Sequence, residues 1–104
     1  MEVAKYILSI LRTEFIVVFS WGFNSARAIE NGLAFWVQGF KHKGRVEVLY
    51  DDGWDLFVVR TFNEGGAIKE ERDGIYADGL VSTIDWMVER TEDYSSRVRK
   101  HYRM

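Results

Sequence analysis

The sequence contains no cysteine and no proline among its 104 residues. Without cysteine the chain has no disulfide, no thiolate ligand for a metal and no cysteine nucleophile. Small secreted domains commonly depend on disulfides, so their absence favours a reducing compartment, and we expect a cytoplasmic protein. The lack of proline removes rigid connections, and there is no repeat, low-complexity segment or linker. Residues 1–104 are therefore predicted to form a single domain.

Long hydrophobic runs and a large net charge are also missing. Residues 15–19, one of the longest uninterrupted apolar runs, are far fewer than the roughly 20 residues that a helix needs to cross a bilayer. Met1 is followed by an amphipathic stretch and not by the regions of a signal peptide. The formal net charge of −2 argues against a strongly basic nucleic-acid binder, although a local basic patch is compatible with it. We expect no membrane partner.

Histidine chemistry has little support, because the chain has only two histidines. His42 falls at a predicted hairpin tip and His101 near the C-terminus, and neither has an evident serine or aspartate partner. A Gly-x-Ser-x-Gly motif is absent as well. Both histidines are interpreted as solvated surface residues.

The carboxylates and glycines are explained by local structure. The aspartates of residues 51–55 fit a turn better than a calcium loop, and the glycine pair 65–66 fits a turn better than a phosphate cradle. Asp85 and Glu89 lie one helical turn apart and are interpreted as facing solvent. We therefore expect no enzyme activity, no cofactor and no metal.

Aromatic residues, by contrast, are plentiful, at 15% of the chain with four tryptophans. Residues 2–13 place apolar side chains at helical spacing, which predicts an N-terminal amphipathic helix. Residues 15–21, FIVVFSW, are β-branched and aromatic, and they predict a strand that is covered on both faces.

Residues 22–31 leave two alternatives open. They could form a short helix that is capped by Asn24 or Ser25 and ended by Gly32. They could instead continue the strand into a hairpin through Asn31-Gly32, a dipeptide that favours a type I′ turn, with a bulge or bend at Gly22. The hairpin is the favoured interpretation.

Two strands follow, over residues 33–40 and 45–50, with a basic tip at residues 41–44. One face of this pair alternates as core, and the other mixes aromatic and polar side chains. The predicted cross-strand pairs are Phe35 with Tyr50, Val37 with Val48, Trp36 with Leu49, Gln38 with Glu47 and Phe40 with Arg45.

Further turns at residues 51–53 and 63–66 bound a strand over 54–62, whose faces the sequence leaves unassigned. Residues 67–73 are mostly charged and predict an exposed edge strand, because charge protects an edge against pairing with another chain.

The C-terminal region predicts a second helix from about residue 80 to Arg90. Leu80, Ile84 and Val88 form its apolar stripe, and Asp78 or Ser82 is its expected N-cap. The helix could continue as a basic extension over residues 93–104. The predicted fold is thus α+β: a four- or five-stranded antiparallel meander with an N-terminal and a C-terminal helix packed on one face.

The uncovered face of such a sheet carries large apolar side chains and predicts a protein interface. Symmetric homodimers are the commonest oligomers, so a second copy is the first expected partner. The chain is interpreted as a non-enzymatic protein-interaction domain of unknown process that self-associates through this face. The predicted interface residues are Trp36, Phe40, Leu49 and Trp54.

A nucleic-acid-binding accessory protein is the alternative. A basic hairpin tip and a basic C-terminal tail could contact phosphates, with aromatic side chains available for stacking. Basic residues at such places also commonly serve solubility and helix capping. The predicted contacts are Lys41, Lys43, Arg45, Arg97, Arg99, Lys100 and Arg103.

Overall fold

The computed structural model describes residues 2–89. A five-stranded antiparallel sheet follows the chain in the order β1-β2-β3-β4-β5, with helices before and after it, so the predicted α+β fold is confirmed. The predicted extension over residues 93–104 lies outside the described range. In chain order the elements are α1 (Glu2–Arg12), α2 (Phe15–Ser20), β1 (Asn24–Ile29), β2 (Gly32–Gln38), β3 (Lys43–Asp51), β4 (Leu56–Phe62), β5 (Ile68–Ile75), a 3-10 helix (Ala77–Gly79) and α3 (Leu80–Val88).

Helices α1 and α3 contact each other and pack on one face of the sheet, as the sequence predicts. α1 buries Ala4, Ile7 and Leu11, which recur along one side of the helix. The strands contribute alternate residues, because successive side chains of a strand point to opposite faces. The sheet residues buried beneath the helices include Leu33, Phe35, Val37, Val46, Val48, Phe57 and Val59.

Residues 15–21 do not form the predicted strand. Residues 15–20 form the short helix α2, and only Thr13 and Glu14 separate it from α1. An apolar run of this length is compatible with either structure, and tertiary contacts decide between them. Val18 and Trp21, three residues apart, turn into the core, and the Trp21 indole nitrogen donates a hydrogen bond to Asp85 Oδ1 at 2.9 Å. Gly22, with φ +70°, follows the end of this helix and is not a bulge within a long strand.

The predicted register of β2 and β3 is wrong by four residues. Phe35 lies opposite Val46, Trp36 opposite Arg45 and Gln38 opposite Lys43, so the turn comprises residues 39–42. This turn is held by the end of α3, where the Val88 carbonyl accepts hydrogen bonds from the backbone N–H groups of Lys41 and His42. A shift by an even number of residues keeps every side chain on its face, so the predicted faces survive the error.

The other turns differ from prediction in detail. β1 and β2 form the favoured hairpin, with Glu30 and Asn31 as the two loop residues. The turn between β3 and β4 spans residues 52–55, so the strand begins at Leu56 and Trp54 lies in the turn. α3 has Gly79 at its N-cap in place of Asp78 or Ser82, because the 3-10 helix leads directly into it.

Candidate protein-interaction surfaces

The face of the sheet opposite the helices is not covered by any element within residues 2–89, and we call it the open face. Its side chains form three rows that cross the strands, because cross-strand partners lie side by side. The aromatic row is Asn24, Trp36, Arg45, Phe62 and Ile68. The charged row is Arg27, Ala34, Glu47, Arg60 and Glu71. The apolar row is Ile29, Gly32, Leu49 and Val58.

Trp36 is the only tryptophan in the five strands, and 47% of its surface is accessible. It lines a shallow groove of about 870 Å³ together with Phe62 of the same row. The charged residues of the groove are Lys43, Arg45, Glu47 and Glu64, two of each sign. The groove therefore combines aromatic walls with a balanced charge.

Arg45 is held in place by its neighbours within this groove. Its Nη2 atom donates to Glu47 Oε2 at 2.5 Å, and its guanidinium carbon lies 5.8 Å from the centroid of the Phe62 ring. The Nε atom is buried without a hydrogen-bond partner among the described residues. In the charged row, Arg60 Nε similarly donates to Glu71 Oε2. Two arginine–glutamate pairs are thus formed within the open face.

The four predicted interface residues do not form one continuous patch. Trp36 and Phe40 lie towards the turn of residues 39–42, and Phe40 itself is in that turn with 65% of its surface exposed. Leu49 lies about 13 Å further along the sheet, on the other side of the charged row. Trp54, which is 77% exposed, lies beyond Leu49 in the turn between β3 and β4.

A second exposed surface was missed by the sequence analysis. On α2, Phe15, Ile16 and Phe19 are 57%, 73% and 70% exposed, and the two phenylalanine rings are in edge contact with centroids 6.0 Å apart. We call these three residues the α2 surface. The i, i+4 spacing of Phe15 and Phe19 and the absence of glycine or proline before them are the signals that could have indicated a helix.

The predicted nucleic-acid contacts are divided between two sides of the molecule. Lys41 Nζ lies 5.6 Å from the centroid of the Trp86 ring on α3, whereas Lys43 and Arg45 line the groove of the open face. Arg45 is paired with Glu47. The remaining predicted contacts, Arg97, Arg99, Lys100 and Arg103, lie outside the described residues, as does His101.

His42 is buried, with 3% of its surface exposed, so its interpretation as a solvated residue is wrong. The ring lies 3.1 Å from the Arg45 carbonyl oxygen through Nε2 and 3.4 Å from Lys69 Nζ through Nδ1. Since lysine can only donate, Nδ1 is the acceptor and Nε2 carries the hydrogen. Burial lowers the pKa of His42 below 6.5, and the charge of Lys69 lowers it further, against the Arg45 carbonyl and Glu70, which raise it. The His42 ring is therefore a buried part of the folded structure and not a solvent-facing group.

Asp85 and Glu89 also differ from their predicted solvent-facing role. Asp85 is buried and accepts the Trp21 hydrogen bond, which ties α2 to α3. Glu89 Oε2 accepts a hydrogen bond from the Phe40 backbone N–H at 3.0 Å. Both carboxylates thus connect elements of the fold.

The aspartates of the turn between β3 and β4 have local roles, as predicted. Asp51 Oδ1 accepts a hydrogen bond from the Gly53 N–H at 3.1 Å. Asp55 accepts one from the Tyr50 hydroxyl at 2.7 Å, and this bond raises the pKa of Tyr50 to about 12.

Comparison with protein-family models, with curated proteins and with solved structures gives no match. Within residues 2–89, no group of three or more histidine, cysteine or acidic side chains is arranged to hold a metal ion. No helix in the same range is long and apolar enough to cross a membrane.

Proposed function

We propose that this chain is a non-enzymatic protein-interaction domain that associates, in the first place with a second copy of itself, through the open face of its sheet. The proposal is carried by the exposure of Trp36. This side chain is nearly half exposed and lines a groove on the open face, which no element among the described residues covers. Exposed aromatic side chains that are surrounded by polar groups are typical of the centres of protein interfaces. A cytoplasmic location is proposed on the absence of cysteine alone.

The charge of the groove supports a protein partner over a nucleic acid. Two basic and two acidic side chains line it, and Arg45 is already paired with Glu47. A polyanion gains affinity from unpaired cations that release its counterions, and this surface offers few of them. A surface of balanced charge can meet another protein, or its own copy, without net repulsion.

The molar mass in solution tests the proposal. Light scattering behind a sizing column, over protein concentrations from about 1 to 500 µM, covers the range expected for an interface of small area. We expect the mass to rise from the 12.2 kDa of one chain towards twice that value. Trp36→Ala should weaken the association at least about tenfold, because large aromatic residues at interface centres dominate affinity.

Tyr76→Ala is the matched control, since Tyr76 is also an exposed aromatic residue, at 68%, but lies between β5 and the 3-10 helix. It should dimerise like the wild type. A wild-type chain that stays monomeric throughout, or a Trp36→Ala variant that dimerises unchanged, would overturn the proposed interface.

A further inference from the structure

We infer that two copies pack open face to open face around a two-fold axis that runs parallel to the strands and passes between β3 and β4. This geometry rests on the proposed self-association and names the contacts that would produce it. A two-fold axis in this orientation places β3 of one copy over β4 of the other and β2 over β5. Each of the three rows then meets the same row of the partner.

The charged row and the extent of strand overlap together restrict the position of the axis. Across the sheet its members are Arg27, Ala34, Glu47, Arg60 and Glu71, one on each strand. With the axis between β3 and β4, each Glu47 faces the other copy's residue 60, an arginine, and Ala34 faces residue 71, a glutamate. No like charges of this row are then opposite each other, and the Glu47–Arg60 contact occurs twice.

Other axes are less favourable. An axis between β4 and β5 would also join opposite charges, Arg60 with the glutamate at position 71, but it would overlap only two strands of each copy. An axis parallel to the strands through β3 or through β4 would place Glu47 or Arg60 opposite its own copy. An axis between β2 and β3 would place Arg27 opposite the arginine at position 60. An axis perpendicular to the strands and passing through the charged row would place every member of that row opposite itself. Like charges placed opposite each other cost several kcal/mol at an interface.

The other two rows agree with the axis between β3 and β4. In the apolar row, Leu49 faces the valine at position 58 of the other copy. In the aromatic row, Arg45 faces a phenylalanine ring at position 62, and Trp36 faces an isoleucine at position 68. These contacts are apolar or cation–π in character. Neither row therefore places like charges opposite each other when the axis lies between β3 and β4.

A mixing experiment tests the arrangement. Glu47→Lys and Arg60→Glu each place like charges opposite each other twice in a homodimer, and each should weaken homodimerisation about 100-fold. Mixed together, the two variants should form a heterodimer with an affinity near that of the wild type, because both contacts again join opposite charges. Glu47 and Arg60 are also neighbours within one chain, but mixing leaves any repulsion inside a chain unchanged.

Arg27→Glu is the matched control. Arg27 belongs to the charged row, but β1 has no strand of the partner opposite it in this arrangement, so this charge reversal should leave dimerisation within about twofold of the wild type. Circular dichroism of each variant confirms that the fold is retained. A wild-type dimer whose charge variants dimerise normally, or fail to recover on mixing, would reject the axis while leaving self-association intact.

A covalent cross-link provides a second measurement that does not depend on charge reversal. The chain has no cysteine, so Ala34→Cys combined with Glu71→Cys introduces the only thiols. Within one chain these positions lie three strands apart, about 14 Å. Across the proposed axis they face each other at the roughly 10 Å that separates packed sheets, which is too far for a disulfide, so a bifunctional thiol reagent with a reach of about 10 Å should give a covalent dimer. Arg27→Cys alone should not cross-link, because its two copies lie about five strands apart. Failure of the first pair to cross-link would reject the axis.

Discussion

The open face and the α2 surface are both exposed and both present large apolar side chains, but they differ in charge. The α2 surface consists of Phe15, Ile16 and Phe19, on a helix without a single charged residue. The open face places a row of alternating charges between two less polar rows. Apolar area is attractive in any orientation, whereas an ordered row of charges favours one orientation. The amount of exposed apolar surface therefore does not by itself select a partner.

The two surfaces also arise differently. The open face follows from a sheet with helices on only one side, so its side chains support one another across the strands. The α2 surface lies on one side of a short helix, and Val18, on another side of the same helix, is buried in the core. Val18 and the adjoining Trp21 therefore anchor the α2 surface.

The largest expected effect comes from removing the anchor of the α2 surface. Trp21 is fully buried and hydrogen-bonded to Asp85, so Trp21→Ala should lower the free energy of unfolding by about 3–5 kcal/mol. Urea denaturation measures this loss. Trp54→Ala is the matched control, because Trp54 is 77% exposed, and it should change stability by no more than about 0.5 kcal/mol. Equal effects of the two substitutions would contradict the different burial of the two rings.

A smaller effect is expected from pH, at the end of the open face near residues 39–42. The pKa of His42 is lower in the fold than its ordinary value of 6.5, so the unfolded chain binds the proton more readily. Its contribution to stability is therefore present above about pH 6.5 and is lost as the pH falls from there through the lower, folded pKa. Unfolding measured between pH 7.5 and 5 should show this decline.

His42→Gln provides the control for this pH effect. Both proteins retain His101, so its contribution cancels when their pH profiles are compared. The variant should be less stable at pH 7.5 but should lose less stability on acidification. Parallel profiles for the two proteins would show that His42 is not the titrating group.

The smallest effect is expected on the α2 surface itself. Phe19→Ser replaces a side chain that is 70% exposed, so stability should change by no more than about 0.5 kcal/mol. If the open face is the self-association surface, the dimerisation constant should stay within about twofold of the wild type. Light scattering under the same conditions as for Trp36→Ala measures it. Loss of the dimer in Phe19→Ser alone would transfer self-association from the open face to the α2 surface.

Sequence reasoning recovered the α+β fold because the relevant patterns are strong. The stripe of α1 with Ala4, Ile7 and Leu11 has a helical period, and the charged edge strand has a clear signature. It failed for residues 15–21, because a short apolar run is compatible with both a strand and a helix. It also failed for His42, because a residue at a hairpin tip is normally solvated, whereas this one is bonded to the end of α3 through its backbone and to Arg45 and Lys69 through its ring.

The candidate site was predicted in part. Trp36 was correctly placed on the face away from the core, but its neighbour across the strands is Arg45 and not Leu49. The charged row that separates Trp36 from Leu49 could not be recognised, because its members come from all five strands and meet only in the observed register.

The sequence alone determined which side chains of β2 and β3 face the helices and which face away, since a period of two residues assigns faces without any knowledge of partners, but it left the faces of β4 unassigned. Only the tertiary structure decided how far each strand slides along its neighbour, because a slide by an even number of residues preserves the pattern. In the observed register the end of α3 is bonded through Val88 to the turn after β2, and this register sets the order of charges on the open face.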